Sequence, residues 1–113
     1  MSPRVPSYLR KARREWGLTQ RELAVLLGVK SRAHISRLES LSRTPSIDVL
    51  LAFEVLFGVS AKELFPMKYT HIEEVILRRA AVLYAQLEDD DRLRAKRIRE
   101  LLLLAKRRAI TRC

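Results

Sequence analysis

The sequence predicts an all-α fold. Apolar residues recur at helical spacing along most of the chain, whereas the alternating patterns typical of strands are few. The 113 residues include only three glycines, so the Gly-rich turns that connect strands are missing. Hydrophobic residues make up 48% of the chain, which is enough for a packed core and is untypical of disordered proteins.

We divide the chain into three parts. An arm covers residues 1–6, because two prolines block regular structure there. A domain of five helices covers residues 7–66, and a two-helix extension over residues 70–110 forms a C-terminal helical hairpin. The longest apolar run has five residues, far short of the roughly 20 that span a membrane, and no signal peptide is recognisable. The single cysteine, Cys113, permits no disulfide within the chain, so we expect a cytoplasmic protein.

Capping signals delimit the first two helices. The first helix covers residues 7–16. The second begins at Thr19, which forms a capping box with Glu22, and it ends at Gly28. Trp16 is predicted to cover the core. The expected buried residues are Leu9, Ala12 and Trp16 in the first helix and Leu23, Leu26 and Leu27 in the second.

Three further helices complete the predicted domain. The third covers residues 31–40. The fourth opens at Ser46 and ends at Gly58, and it is apolar nearly all round, as a central core helix would be. A short fifth helix starts at a capping box on Ser60 and continues through Phe65, and Pro66 then breaks the chain. The expected core residues are Ile35 and Leu38 in the third helix and Ile47, Leu50, Leu51, Phe53 and Phe57 in the fourth.

The extension is predicted to contain two amphipathic helices. The first begins at Thr70, in a third capping box, and the second covers residues 92–110 after an acidic turn at residues 89–91. Helical spacing gives the first of them one apolar stripe. The stripe consists of Ile72, Ile76, Ala80, Leu83 and Leu87.

Four consecutive leucines distinguish the last helix. At about 100° per residue they cover roughly 300° of its surface, which exceeds what one partner helix can bury. We therefore expect a homodimer, with the extension supplying the contact; the alternative is that the extension folds back on the domain. The predicted dimer interface consists of Leu83, Leu87, Leu101, Leu102, Leu103 and Leu104.

The net charge of +10 and the pI near 10.6 favour a polyanionic partner, either nucleic acid or an anionic membrane surface. The third helix favours double-stranded DNA. Ile35 and Leu38 share one side of it, and small residues and Arg37 lie on the opposite side. Small residues permit close approach to base edges, and an arginine can donate to both O6 and N7 of guanine.

Residues 8–65 resemble the phage-repressor family of helix-turn-helix proteins, also called the Cro/repressor or XRE type. The matching positions are Leu9, Gly17-Leu18-Thr19-Gln20, Leu23-Ala24, Gly28-Val29, Ile35-Ser36, Leu38-Glu39, Pro45-Ser46, Gly58-Val59 and Leu64-Phe65. The resemblance implies a DNA-binding domain that acts as a homodimer on pseudo-palindromic operators. We expect a transcription regulator, and specifically a repressor.

The resemblance also implies roles for individual residues. Arg13 and Glu39 fall where several members have an ion pair between the first and third helices. The base-reading positions are Arg32, Ala33, Ser36 and Arg37. Phosphate contacts are expected from basic side chains near the third helix and from free N–H groups at the start of the second helix, in addition to the resemblance. The expected phosphate contacts are Thr19, Gln20, Arg21, Lys30, Ser40 and Arg43.

The sequence departs from the family pattern at two places. Gly28 to Ile35 spans seven steps where the family has six, so the third helix starts at one of two adjacent positions. Glu54 stands where the family usually has alanine, and it either pairs with an arginine of the first helix or is exposed.

No residues favour catalysis or a cofactor. His34 and His71 lack partners at the spacing of metal ligands, and no nucleophile motif or Gly-rich phosphate loop is present, so we expect no metal, no cofactor and no enzyme. His34 is a further candidate for a contact with the DNA backbone. One alternative function is an antitoxin or adaptor whose C-terminal helices bind a second protein. Another is attachment of the basic residues 92–112 to a membrane surface, although we expect no membrane partner.

Overall fold

The structure is a computed structural model that describes residues 6–112, and within them all regular structure is helical. The all-α prediction is thereby confirmed. Residues 1–5 of the expected arm, and Cys113, lie outside the described residues. The helices are α1 (Leu9–Glu15), α2 (Gln20–Leu27), α3 (Arg32–Ser40), α4 (Ile47–Phe57), α5 (Ala61–Leu64), α6 (Pro66–Leu87) and α7 (Leu93–Arg112). The chain divides into two compact units, Met1–Tyr69 and Thr70–Cys113.

The first unit has a continuous hydrophobic core that joins α1 to α5. Phe53 lies at its centre, with its ring 6.5 Å from that of Phe57 and 6.2 Å from that of Phe65. Side chains of this size remove much apolar surface from water, which is the main stabilising contribution to folding. The largest fully buried side chains are Phe53, Leu9, Leu23, Ile35 and Leu38.

Local capping sets the helix ends of this unit. The Thr19 hydroxyl accepts a hydrogen bond from the Glu22 N–H at 3.0 Å, and the Glu22 carboxylate accepts one from the Thr19 N–H at 2.9 Å. The predicted capping box is thus present, and a second one joins Ser60 and Glu63. Gly28 ends α2 at a φ of 68°, a left-handed conformation in which a side chain would be strained.

Two residues that were predicted to be buried in the first two helices lie instead on the surface. Trp16 is 71% exposed, so the prediction that it covers the core is wrong. It follows α1, which ends at Glu15, and Arg13 is the buried residue on that side of the helix. Leu26 is also exposed, because α2 turns Leu23 and its neighbour Ala24 towards the core.

The core contacts only one side of α4. Val49 and Phe53 are buried, whereas Ile47, Leu51 and Val55 follow one another at intervals of four residues on an exposed face. The predictions of an all-round buried helix and of core positions at Ile47 and Leu51 are therefore wrong. The physical reason is that the core shared by the helices of this unit lies against a single side of α4.

Pro66 begins a helix, so the prediction that it breaks the helical structure is wrong. It is the first residue of α6, where a missing N–H costs nothing because the first N–H groups of a helix have no partner within it. Thr70 consequently lies inside α6 and is not an N-cap, so the predicted third capping box is wrong. The unit boundary at Tyr69 falls within this helix.

The second unit consists of the remainder of α6 and of α7, and it has almost no core. No residue of α6 is buried, and the buried apolar residues of α7 are two alanines, Ala95 and Ala109. The predicted stripe of α6 is only partly correct, because Ile72, Ile76 and Leu83 are exposed. The half-buried apolar residues of this helix within the unit are Val75, Leu77, Ala80, Tyr84 and Leu87.

An ion pair and an arginine hold the turn between α6 and α7. The Asp90 carboxylate accepts hydrogen bonds from the backbone N–H of Arg92 at 2.9 Å and from its guanidinium at 2.6 Å. These contacts with Arg92 lower the pKa of Asp90 to about 2. The guanidinium of Arg99 donates to the carbonyl oxygens of Leu87 and Asp90, which caps the C-terminal end of α6.

Candidate nucleic-acid interface

The turn between α2 and α3 positions the helix that is predicted to read DNA. After Gly28, the Val29 N–H donates to the Ala24 carbonyl at 3.0 Å, and Ser31 is an extended N-cap. Arg32 is therefore the first residue of α3. This settles the start of the helix, which the sequence left open by one residue. The side chain of Ser31 makes no capping hydrogen bond.

Helix α3 has an inner and an outer face. Ile35 and Leu38 are fully buried, and Glu39 is buried beside them. The outer face carries a pair of arginines separated by small residues, so it combines cationic donors with little steric bulk. The four predicted base-reading residues all lie exposed on this face: Arg32, Ala33, Ser36 and Arg37.

The C-terminal end of α3 is closed by hydrogen bonds to one carbonyl. The Arg37 carbonyl oxygen accepts from the Arg43 N–H at 3.2 Å and from the Ser40 hydroxyl at 3.2 Å. Leu41 takes the left-handed conformation at a φ of 56°, in a place where glycine is more usual. The closure holds Ser40 and Arg43, two predicted phosphate contacts, close to the end of the helix.

The carboxylate of Glu39 joins α1, α2 and α3. It accepts hydrogen bonds from Arg13 at 2.6 Å, from the Gln20 amide at 3.0 Å and from Arg10 at 3.3 Å. The Glu39 side chain is 1% exposed and that of Arg13 is 10% exposed, whereas that of Arg10 is 55% exposed. The backbone carbonyl of Glu39 also accepts from the Ser7 hydroxyl at 2.6 Å. This cluster sets the position of α3 relative to the first two helices.

The charge of Glu39 is stabilised despite its burial. Burial disfavours the ionised form, but the hydrogen bonds from Arg13 and Gln20, the charge of Arg13 and the hydrogen bond from Arg10 outweigh it. The pKa of this carboxyl is therefore lowered. The interaction also orients the Gln20 amide, which is a predicted phosphate contact, at the start of α2.

A basic concavity of about 640 Å³ lies between the ends of these helices. It brings together the predicted contacts Thr19, Gln20, Arg21 and Arg32. It also includes arginines of α1 that the sequence interpretation missed, namely Arg10 and Arg14. The sequence feature that could have identified them is the arginine spacing in α1, because residues 10, 13 and 14 share one side of a helix. The full lining is Arg10, Arg13, Arg14, Thr19, Gln20, Arg21 and Arg32.

The other predicted phosphate contacts lie outside this concavity. Ser40 lines a neighbouring one, which Arg10 and Arg14 also line. Lys30 and Arg43 are exposed and line neither. Partial burial and the charges of Arg43 and Arg37 lower the pKa of His34, which places this histidine in a positive field.

Comparison with known families decides the identity of the first unit. The sequence model of one family, described as helix-turn-helix, matches residues 9–64. The chain belongs to this family. The suspected XRE-type relationship is confirmed, and the helix-turn-helix protein is a DNA-binding transcription regulator of that type. No curated protein and no solved structure matches the chain.

The match extends from the first residue of α1 to the end of α5. It therefore covers α3 and the arginine concavity, and it excludes α6 and α7. Glu54, which departs from the family pattern, is exposed and forms no ion pair among the described residues. Of the two alternatives for Glu54, a pair with an arginine of the first helix or an exposed position, the structure shows the exposed position.

Residues 6–112 contain neither of two other kinds of site. No group of His, Cys, Asp and Glu side chains there is arranged to hold a metal ion. None of the helices in the same part of the chain has the length and apolar character needed to cross a membrane.

A second surface lies in the hairpin of the helix-turn-helix protein. An apolar groove of about 360 Å³ runs between α6 and α7 and is lined mainly by leucine, alanine and tyrosine. Of the six predicted dimer-interface residues, Leu83, Leu101 and Leu103 are exposed. The other three, Leu87, Leu102 and Leu104, are half-buried. The groove is lined by Leu77, Ala80, Ala81, Tyr84, Leu102, Leu103 and Lys106.

Proposed function

We propose that the protein is a sequence-specific repressor that binds pseudo-palindromic double-stranded DNA as a homodimer. The observation that carries this proposal is the two-sided character of α3. Its inner face is anchored by Ile35, Leu38 and the Glu39 cluster, and its outer face exposes arginines and small residues. A helix fixed on one side and exposed on the other is suited to insertion into the major groove.

The outer face of α3 can distinguish base pairs. Arg37 is exposed on this face, and its guanidinium is suited to a bidentate contact with O6 and N7 of guanine. Arg32 lies in the first turn of the helix, where the recognition helix of this motif contacts base edges. Ala33 and Ser36 between them permit close approach to the bases.

The arginine concavity can hold the DNA backbone. Arg10, Arg14 and Arg21 contribute positive charge beside the first turn of α2, where the N–H groups that the capping box does not use can donate to a phosphate. Contacts of this kind set the register of the protein on the duplex without reading sequence. Because each phosphate contact releases counterions, binding is expected to weaken steeply as salt increases.

The hairpin supports the homodimer. Two helices that bury only alanines leave apolar surface that an isolated copy exposes to water. Association of two copies through the groove residues would bury this surface and present two reading helices. Occupation of a promoter site by such a dimer excludes polymerase, which is the simplest route to repression.

Selection of DNA sites in vitro tests the proposal. The purified full chain is incubated with a random duplex library, and bound sequences are enriched and aligned. We expect a two-fold symmetric motif with half-site centres about one helical turn apart, roughly 34 Å. A control variant with Arg32→Ala and Arg37→Ala retains the helix and removes the two exposed guanidinium groups, so it is expected to enrich no motif.

Two results would contradict the proposal. Enrichment of no motif by the native chain would remove sequence-specific binding. Enrichment of a single asymmetric half-site, together with a monomeric mass by light scattering, would remove the homodimer. Co-purification of a second protein bound at the groove would favour the antitoxin or adaptor alternative.

A further inference from the structure

Two arginines of α1 share the buried carboxylate of Glu39, and they are held in different ways. Arg13 donates to Oε2 of the carboxylate at 2.6 Å and to the Leu18 carbonyl oxygen at 2.8 Å, and its side chain is 10% exposed. Arg10 donates to Oε1 at 3.3 Å, and its side chain is 55% exposed. Hydrogen bonds between charged groups are usually about 2.7–2.9 Å long, so the contact of Arg10 is a weak one.

The Glu39 carboxylate does not depend on Arg10. The Gln20 amide donates to the same oxygen, Oε1, at 3.0 Å, so both carboxylate oxygens keep a partner when Arg10 leaves. Burial raises the pKa of this carboxyl, but hydrogen bonds from three side chains outweigh it, and the one from Arg10 has the smallest effect. Exposed ion pairs also contribute little to stability. Release of the Arg10 side chain therefore leaves the charge of Glu39 paired.

Arg10 lies between two groups of predicted phosphate contacts. It lines the arginine concavity together with Gln20 and Arg21, and it lines the neighbouring concavity of about 770 Å³ together with Ser40. Its terminal guanidinium nitrogens donate to no group among the residues that the structure describes. A DNA backbone that reaches from one concavity to the other passes this side chain, and a guanidinium can bind a phosphate through two parallel N–H groups.

The other arginines of α1 are not equivalent to Arg10. Arg13 also lines the arginine concavity, but its removal from Glu39 would leave a buried carboxylate without its nearest cation. Arg14 lines both concavities, but it has no ion pair within residues 6–112 and so has no partner to exchange. Arg10 combines an ion pair with an exposed side chain.

We propose that Arg10 is a phosphate-binding residue that exchanges partners when DNA binds. The phosphate draws the guanidinium away from Glu39, while Arg13 and Gln20 keep that carboxylate paired. The buried ion pair thus holds the helices together, and the exposed one supplies a releasable cation at the DNA surface. This inference rests on the DNA binding of the proposed function, and it adds to it one residue and one conformational step.

The salt dependence of DNA binding tests the role of Arg10. Fluorescence anisotropy with a duplex of mixed sequence measures the Kd of the full chain over a range of salt concentrations. Each phosphate contact contributes about 0.9 to the slope of log Kd against log salt, so Arg10→Met should lower the slope by about that amount. Arg10→Lys retains the charge and should restore most of the slope.

A matched control removes a cation from another place in the first unit. Lys62 lies over the ring of Tyr69 at 5.6 Å and lines neither concavity. Lys62→Met therefore changes the net charge by the same amount as Arg10→Met and should leave the slope unchanged.

Thermal unfolding separates a phosphate contact from a structural role. Arg10→Met removes an exposed pair and should change the melting temperature by only a few degrees. Arg13→Met removes the buried partner of Glu39 and should lower the melting temperature by more than about 10 °C.

Arginine side-chain NMR follows the exchange directly. In the free protein the Nε–H groups of Arg10 and Arg13 both donate to Glu39. Addition of the duplex should shift the Arg10 Nε–H resonance, which is assigned by its loss in Arg10→Lys. The Arg13 resonance should move little, because its partner is retained.

The outcomes separate this inference from the proposed function. An unchanged slope in Arg10→Met, with duplex binding by the native chain, would overturn the exchange and leave the sequence-specific repressor intact. A melting temperature as low as that of Arg13→Met, or a shift of the Arg13 resonance in place of the Arg10 resonance, would do the same. Failure to select a DNA motif, combined with the expected change in slope, would remove the proposed function and retain the role of Arg10. Absence of any duplex binding would overturn both.

Discussion

The two units of the chain use apolar residues in different ways. In the first unit, leucine, isoleucine and phenylalanine side chains from five helices form one core, and the largest of them are inaccessible to water. In the second unit, two longer helices bury only Ala95 and Ala109, while Leu101 and Leu103 are exposed. Helix length and apolar content therefore do not by themselves produce a core.

The difference in burial arises from how many sides of each helix are packed against neighbouring helices. Helix α3 is covered on one side by α1 and α2, and its remaining side is polar and cationic. Helix α7 has leucines on several sides and a single neighbouring helix within its unit. The first unit buries its largest apolar side chains, whereas the second leaves leucines of α7 exposed.

The largest contrast is expected from truncating one apolar side chain in each unit. Phe53→Ala removes a fully buried ring and should lower the free energy of unfolding by about 3–5 kcal/mol at every protein concentration. Leu101→Ala removes an exposed side chain, so it should act mainly on association and its effect should depend on concentration. Denaturant unfolding at two protein concentrations makes the comparison. A concentration-independent loss of several kcal/mol for Leu101→Ala would show that the second unit has a core of its own.

The ion pairs of the two units offer a second contrast. Arg13→Met removes the partner nearest to the buried Glu39 carboxylate, and we expect a loss of about 3 kcal/mol in the free energy of unfolding. The same substitution at Arg92 breaks the exposed pair with Asp90 and should change stability little. Chemical denaturation measures both. Equal effects for the two variants would contradict the structural role assigned to the Glu39 cluster.

Base preference in DNA binding should depend on arginines of the first unit and not on arginines of the second. Arg37→Ala is expected to weaken binding to the selected site by about 1–3 kcal/mol and to relax the preference at one base pair. Arg97→Ala removes an equal charge from an exposed position of α7 and should leave base preference unchanged. Fluorescence anisotropy with the selected duplex and with single-base variants provides the measurement. Altered preference in the Arg97 variant would assign base reading to the second unit.

The smallest contrast concerns two threonines in similar sequence contexts. Thr19 and Thr70 each stand three residues before a glutamate, but only Thr19 is an N-cap. Thr19→Ala should cost about 1 kcal/mol of stability, and Thr70→Ala should be neutral or slightly stabilising because alanine is the better helix former. Thermal unfolding of both variants tests this difference. A larger loss at Thr70 would contradict the continuous helix α6.

These threonines show what the sequence could and could not predict. The capping box at Thr19 was predictable because the glycine turn before it separates α1 from α2. The same motif at Thr70 gives a wrong prediction. Pro66 indicates a helix end when only the sequence is considered, whereas in the structure it occupies the first turn of α6. Proline is compatible with either position, so the local sequence does not decide between them.

The candidate interface was predictable only where it depends on residues that are close together in sequence. The outer face of α3 follows from helical periodicity once Ile35 and Leu38 are placed inside. The contribution of Arg10 and Arg14 did not follow, because it depends on the side chains of α1 lying beside those of α2 and α3. Contacts between residues far apart in sequence carry no local signal.

The sequence by itself determined the helical class, the membership of the helix-turn-helix family and the cationic character of the chain. These depend on composition and on residues three or four positions apart. Only the tertiary structure decided that α3 begins at Arg32, that Gln20 and Arg10 join Arg13 on Glu39, and that the leucines of α7 are incompletely covered. The physical reason is that burial and charge pairing depend on which helices pack together, and packing is a property of the whole fold.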